Sequence, residues 1–402
     1  MPARRIALVF VVFLGFVTRG HAASTCPVPT SLSNIAGLQI HGFLTQGFVK
    51  TDHNRFFGPS DKGSFEFREI GLNASYRPLP SLLLTAQGLS RRAGNMYNGS
   101  PTIDFALARW ELSETDDHQA TLSIGRHKNP IGLYNATRDV AHTRPSVFVP
   151  QSVYFDRVRN LLLSSDGVML HLDHYADFGE LSLDAGVGKP VLDKNVEVML
   201  LGRDWPGDLS SGRPARLGRI RFTTPDQRWQ AALSYADTQI AFDPAAGSIP
   251  GPGTTHIGYL VASLQFNQGN WTVTGEYMLE PASAKGFGAP FDNEVTGEGY
   301  YLQLQRYVGP SLSLHVRYEE AYLDRDDRNG RASALRTGLP ASFFFAKSWT
   351  VGARWDVTSR LMLSADFSGN DGNYFLSSRD NPSPAALKRR WNMISILASY
   401  RF

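Results

Sequence analysis

"KSWTVGARWDVTSRLMLSADFSG", residues 347–369, alternates along nearly its whole length. Trp349, Val351, Ala353, Trp355 and Val357 fall on one side, and Thr350, Gly352, Arg354 and Asp356 on the other. After "TSR" the pattern restarts, with Leu361, Leu363, Ala365 and Phe367 opposite Met362, Ser364 and Asp366. Period-two alternation across so short a turn describes two antiparallel strands, each apolar on one face only. "SLSLHVRYEEAYL" (311–323) repeats it, with Leu312, Leu314, Val316 and Tyr318 together, and so does "WTVTGEYMLE", with Trp271, Val273, Tyr277 and Leu279.

Outward from this hairpin the rest of the chain divides into similar segments. Their connections are of two kinds. Seven are tight: "RPLPS", "ETDDH", "YADFG", "PDQR", "QGN", "GPS" and "TSR". Eight are long, at 51–64, 93–102, 127–165, 189–214, 240–254, 282–296, 323–345 and 372–389. A soluble sandwich buries its apolar face, whereas a membrane barrel turns that face to lipid; one-sided long loops are the mark of the barrel. Tight turns alternating with long loops give sixteen strands, an even number, with both ends on the tight-turn side. "KNVEVMLLGRDW" (194–205) would make a seventeenth and reverse the sidedness, so it is assigned to the fourth long loop as a short helix. Trp110, Trp229, Trp271, Trp355, Tyr76 and Tyr400 stand beside tight turns and Trp349 at the opposite strand end, as two interfacial aromatic girdles require.

Composition agrees with export. "MPARR" followed by the apolar run "IALVFVVFLGFV" and small residues up to Ala22 and Ala23 is a secretory signal (1–22), too short to span a bilayer as a helix. A periplasmic lead-in (23–37) precedes the barrel (38–402). Cys26 is the one cysteine, so no internal disulfide can form. "AAST" before it lacks the leucine expected ahead of a lipidated cysteine. A net charge of +3 gives no basis for nucleic-acid binding, and mean hydropathy is −0.23.

The last strand, "RRWNMISILASYRF", sets Ile394, Ile396, Ala398, Tyr400 and Phe402 on one face. It resembles the C-terminal signature of Gram-negative outer-membrane β-barrel proteins, which implies outer-membrane lipid around the wall and recognition by the barrel-assembly machinery through Phe402. The third and longest loop (127–165) is basic and rich in aromatics. A third external loop of this kind resembles that of the porins, where it folds inward and narrows the pore. "GRHKNPIGLYNATRD" (125–139) also resembles a segment of the phosphate-selective porin O/P-like group, on Gly125, Arg126, Lys128, Pro130 and Gly132.

The resemblance implies a 16-stranded antiparallel transmembrane β-barrel with an inward-folded third external loop. It implies passive diffusion of small hydrophilic solutes, no cofactor, and a homotrimer with "LNASY" (72–76) among the contacts. Arg126, Lys128, Arg138, Arg144, Arg157 and Arg159 exceed Asp139 and Asp156 by four in this loop. Rings of cations attract anions, so these six are the expected anion-favouring constriction. Arg219 and Arg221, on the inner row of "RLGRIRF", extend the track. The family's lysine cluster is missing, which points to anions in general.

Catalytic and metal patterns are weak. "HLDH" sends His171 and His174 to opposite faces, and "DRDDRNG" places Arg328 where a calcium loop needs a ligand. A barrel lipid hydrolase would need an outward Ser–His pair, for which His174 and Ser182 are the nearest offering. A secreted β-sandwich adhesin or lectin is the other alternative.

Overall fold

The computed structural model describes residues 37–289 and 291–402. The signal segment, and all but the last residue of the lead-in, lie outside the described residues. The first eight strands are β1 (Leu38–Thr51), β2 (Ser64–Leu79), β3 (Leu82–Ala93), β4 (Tyr97–Glu114), β5 (His118–Lys128), β6 (Ser164–Ala176), β7 (Gly179–Pro190) and β8 (Gly207–Thr223). The second eight are β9 (Trp229–Pro244), β10 (Gly253–Gln268), β11 (Trp271–Lys285), β12 (Asn293–Tyr307), β13 (Leu312–Tyr322), β14 (Phe345–Asp356), β15 (Leu361–Gly372) and β16 (Arg390–Arg401).

Each strand neighbours the next in sequence, and β16 returns to β1, so the sheet closes as an antiparallel barrel. Lipid offers no hydrogen-bond partners, and closure is how a sheet leaves no backbone edge unpaired. The last residue takes part: Phe402 and Gly42 exchange two backbone hydrogen bonds, both 3.0 Å. A single closed sheet is not a two-sheet sandwich.

Alternation sets the two faces. Leu44, Leu72, Ile124, Val187, Ile220, Leu302, Val316 and Val351 are exposed on the outside. Trp110, Trp229, Trp271 and Trp355 are exposed near the tight turns, with Trp349 and Tyr318 nearer the long loops. Between them lies the apolar band that a lipid core would cover.

Several loop bounds change; the fourth long loop, expected over 189–214, spans 191–206 because β8 begins at Gly207. The loop at 93–102 shrinks to 94–96 because β4 begins at Tyr97. A register shift between β3 and β4 absorbs Gly99 and Ser100, while Pro101 pairs with Ser90 inside the strand, although the sequence reads as a turn there. The third long loop runs over 129–163, since Lys128 ends β5 and Ser164 begins β6. It contains a short helix, α1 (Arg159–Leu163). The fourth long loop holds α2 (Lys194–Leu201), in the place expected. Asp193 caps it by accepting from the amides of Asn195 and Val196, and Gly202 ends it in the left-handed conformation.

Candidate functional site: the third long loop and its anchors

Loop 129–163 is bonded to polar-face residues on opposite walls. β3 and β11 are eight strands apart in a ring of sixteen. On β3, Arg91 donates to Asp156 of the loop at 2.8 Å while holding Glu69 of β2 at 3.0 Å. On β11, Glu276 accepts from the Tyr154 hydroxyl at 2.7 Å and the Leu133 amide at 2.9 Å. Tyr301 and Ser263 from the neighbouring strands complete its shell at 2.8 and 2.6 Å. Four donors satisfy both oxygens of this buried carboxyl group, so it is not left as an unpaired polar group in the wall.

Other strands contribute further anchors. Ser234 of β9 accepts from the Gly132 amide at 3.0 Å. Glu319 of β13 accepts from the Ser152 amide at 2.9 Å, and Arg317 donates to Ser146 at 2.7 Å. Asp366 of β15 accepts from the Val147 amide at 2.8 Å. Arg354 of β14 donates to the carbonyls of His142 and Arg144 at 2.8 and 3.1 Å.

Apolar contacts reinforce these bonds. Val153, Tyr154, Phe155 and Leu162 pack with Met169, Leu217, Tyr259, Val261, Met278 and Tyr301 of the wall. At roughly 1.5–3 kcal/mol for each fully buried large side chain, this packing outweighs any single hydrogen bond. Gly132 makes the closest approach. Its φ is +55°, and an added Cβ would meet the Tyr154 hydroxyl at 2.2 Å and Glu276 at 2.6 Å.

The expected anion-attracting residues fall into three groups. Lys128, Arg138, Arg144 and Arg159 converge with Arg91 on Glu69, Asp104, Asp139 and Asp156. Five cations therefore share four carboxylates in one buried cluster. Asp104 enters it from a register shift opposite Gln87 and Gly88, and Gln87 donates to it at 2.7 Å. Burial pulls the Arg138 and Arg144 guanidiniums below their ordinary range and Arg159 down to about 10, against the nearby carboxylates. They remain charged at neutral pH. The pairs join residues distant in sequence: Arg138 bonds Asp156, and Arg159 bonds Asp139. Bracing thus takes all four of these loop cations.

Arg157, Arg219 and Arg221 form the second group. Arg157 lies over the Tyr374 ring at 3.9 Å. Arg219 pairs with Asp184 at 2.8 Å and donates to the Gly132 carbonyl at 3.3 Å. Arg221 pairs with Glu180 at 3.2 Å. The two β8 arginines face inward as expected.

Arg126 corrects the sequence reading. β5 continues through Lys128, so Arg126 shares the outward parity of Ile124 and pairs with Asp166 at 2.7 Å. It has no place at a constriction. His174 and Ser182 also separate, since Ser182 is buried on the inner row while His174 stacks on His118 outside. No cluster of three or more His, Cys, Asp or Glu able to hold a metal occurs among the described residues.

Alternation alone does not single out Glu69, Arg91 or Asp104 as wall partners of the loop, or Tyr154 as the loop's own anchor on Glu276. One signal was available: β10 reads "HIGYLVASL", apolar at Ile257, Tyr259 and Val261 on the inner parity as well as at Leu260 and Leu264 on the outer. A strand covered on both faces loses its alternation.

The sequence matches no family profile and no curated protein. Solved structures do match. Salmonella typhi OmpF, in complex with daunomycin, superposes with a TM-score of 0.57 over 91% of this chain and 97% of that one, at 11% identity. The anion-selective porin from Comamonas acidovorans gives 0.55 over 91% and 99%, also at 11% identity. OmpT of Vibrio cholerae gives 0.55 over 91% and 97%, again at 11%. At such identities the likeness is one of fold. This chain has the porin-type closed barrel of sixteen strands.

Proposed function

We propose that the chain is an outer-membrane porin, a water-filled channel for passive diffusion of small hydrophilic solutes, narrowed by a third loop folded into its lumen. The carrying observation is the pair of anchors on opposite walls, Asp156 to Arg91 and Tyr154 to Glu276, which stretch the loop across a barrel with a polar inner face. A segment so held restricts solute size without chemistry. Phosphate selectivity is not part of this reading, because Arg126 faces outward and Lys128 is held by Asp104 and Asp139, both at 2.6 Å.

The preference for anions is inferred to be weak. By formal charge the central cluster has five basic groups against four carboxylates, an excess of at most one positive charge to attract a passing anion. Assembly through Phe402, insertion in outer-membrane lipid and trimerisation through the β2 face belong to the same proposal. Liposome swelling tests the channel. Vesicles carrying the purified protein should swell in small sugars and stop swelling above a size threshold. Vesicles that never swell around folded protein would refute the proposal.

A further inference from the structure

A belt of charge lies on the outer wall, where apolar residues otherwise prevail. It spans six consecutive strands, β5 to β10. Arg126, Asp166 and Lys189 are cross-strand partners in register. Val187 pairs with Arg216, and Arg216 with Asp237. Arg213 and His256 both flank Gln239.

Each member has outward parity. Arg126 follows Ile124, Asp166 precedes Val168, Lys189 follows Val187, Arg216 precedes Ile220 by four, and Asp237 follows Tyr235; all five apolar partners are exposed. Register shifts in β8 bring Arg213 to the same side despite its odd spacing from Arg216. The belt lies on the long-loop side of the apolar band, near the ends of β5 and β7 and the starts of β6 and β10.

The acids of the belt are already engaged. Asp166 is held by Arg126 at 2.7 Å, and Asp237 by Arg213 and by His256 at 2.8 Å. Among the described residues, no carboxylate lies within ion-pair distance of Lys189 or Arg216. Four cations therefore face two carboxylates on a surface turned to the membrane, and the two without partners are diagonal neighbours on β7 and β8, since Arg216 lies opposite Val187 and Lys189 two residues further along β7. A charge at this depth is tolerated where it meets the polar headgroup layer, and a long side chain reaches that layer with its stem on the apolar wall.

We propose that Lys189 and Arg216 form a docking site for a phosphorylated lipid headgroup of the leaflet on the long-loop side, with the Arg126–Asp166 and Arg213–Asp237 pairs as its rims. The inference rests on the outer-membrane placement proposed above. The occupant follows from position and charge: the acyl chains lie on Ile124, Val168, Val187 and Ile220, and the phosphate lies level with the two free cations. Guanidinium and ammonium groups both suit phosphate oxygens, the former bidentately.

The test uses full-length protein in phosphatidylcholine vesicles containing either diphosphoryl lipid A or its dephosphorylated form, with thermal unfolding read by heat-modifiable gel migration. Wild-type protein should unfold at a higher temperature with the phosphorylated lipid, and the Lys189→Gln/Arg216→Gln variant should lose that increment. The Lys189→Arg/Arg216→Lys variant should keep it, which separates charge from folding defects. Equal midpoints in both lipids, or an increment retained by the glutamine variant, would overturn the proposal. So would an equal increment from inorganic phosphate in detergent, which would make the site one for the free anion. A change in oligomer size in the glutamine variant with the lipid increment intact would assign the belt to a subunit contact instead. Swelling of the same vesicles reports on the channel separately, so failure of the porin reading is distinguishable from failure of the lipid site.

Discussion

The Tyr154 hydroxyl donates to Oε2 of Glu276 at 2.7 Å across 122 positions of sequence, and it accepts from the amides of Leu133 and Tyr134 at 2.8 and 3.0 Å. One buried oxygen thus ties the two ends of the third loop to each other and to β11. Burial, followed by the Glu276 charge, pushes this phenol well above its ordinary range, so it remains a donor throughout the working pH.

Tyr154→Phe removes that oxygen while keeping the ring. The Leu133 amide retains Glu276, but the Tyr134 amide loses the Tyr154 hydroxyl. An unpaired buried donor costs about 1–3 kcal/mol. The variant should unfold several degrees lower and show noisier single-channel current. An unchanged midpoint with quiet current would mean that the loop is held elsewhere.

Gly132→Ala tests the closest approach. The added Cβ would overlap both Tyr154 and Glu276, and the backbone there is left-handed. The loop should shift away from β11, with increased protease cleavage inside 129–163 and larger conductance. Wild-type cleavage and conductance would contradict the packing described.

The barrel could be read from the sequence and the loop anchors could not, for physical reasons. Trp349, Val351 and Trp355 alternate because every strand of a closed sheet turns one face outward and one inward, so strand number, sidedness and the outer aromatic rows follow from local pattern. Arg126 was legible too: counting on by two from Ile124 puts it outside. Asp104 was not legible, because a bulge decides its face. The pairing of Arg138 with Asp156 and of Arg159 with Asp139 was equally hidden. Which carboxylate a buried arginine meets depends on how the loop returns to the wall, and charge counting gives only the excess.

Charge removal should act in opposite ways on the two sides of the cluster. Asp156→Asn leaves Arg91 and Arg138 less compensated, so chloride preference should rise in a reversal-potential measurement. Arg138→Ala instead leaves Asp156 to Arg91 and Gln151, and loss of one of its two buried ion pairs should lower stability by less than the ~3–5 kcal/mol of a buried charge left with no partner. That variant should be limited by stability, seen as a lowered unfolding midpoint. A stable Arg138→Ala channel with sharply reduced anion preference would restore Arg138 as a filter residue.

His142 gives the loop a pH dependence. Burial first, then the charges of Arg401 and Arg354, push its imidazole down to about 4. A free imidazole takes its proton near 6.5. Between these values the undocked or unfolded loop binds a proton that the docked loop excludes, so docking is full above that range and weakens as pH falls through it. Current noise should grow on acidification from neutral pH towards 4, and His142→Gln should flatten the trend. Growth in the opposite direction would contradict the assignment.

A planar-bilayer recording of the purified, folded protein across a potassium chloride gradient tests the channel most directly. Discrete conductance steps with a small reversal potential on the chloride side are the expected result. Folded protein that inserts and gives no steps would contradict the channel. Steps with strong chloride selectivity, lost on replacing Arg138, Arg144 and Arg159 by alanine, would contradict the bracing role given to the buried loop arginines.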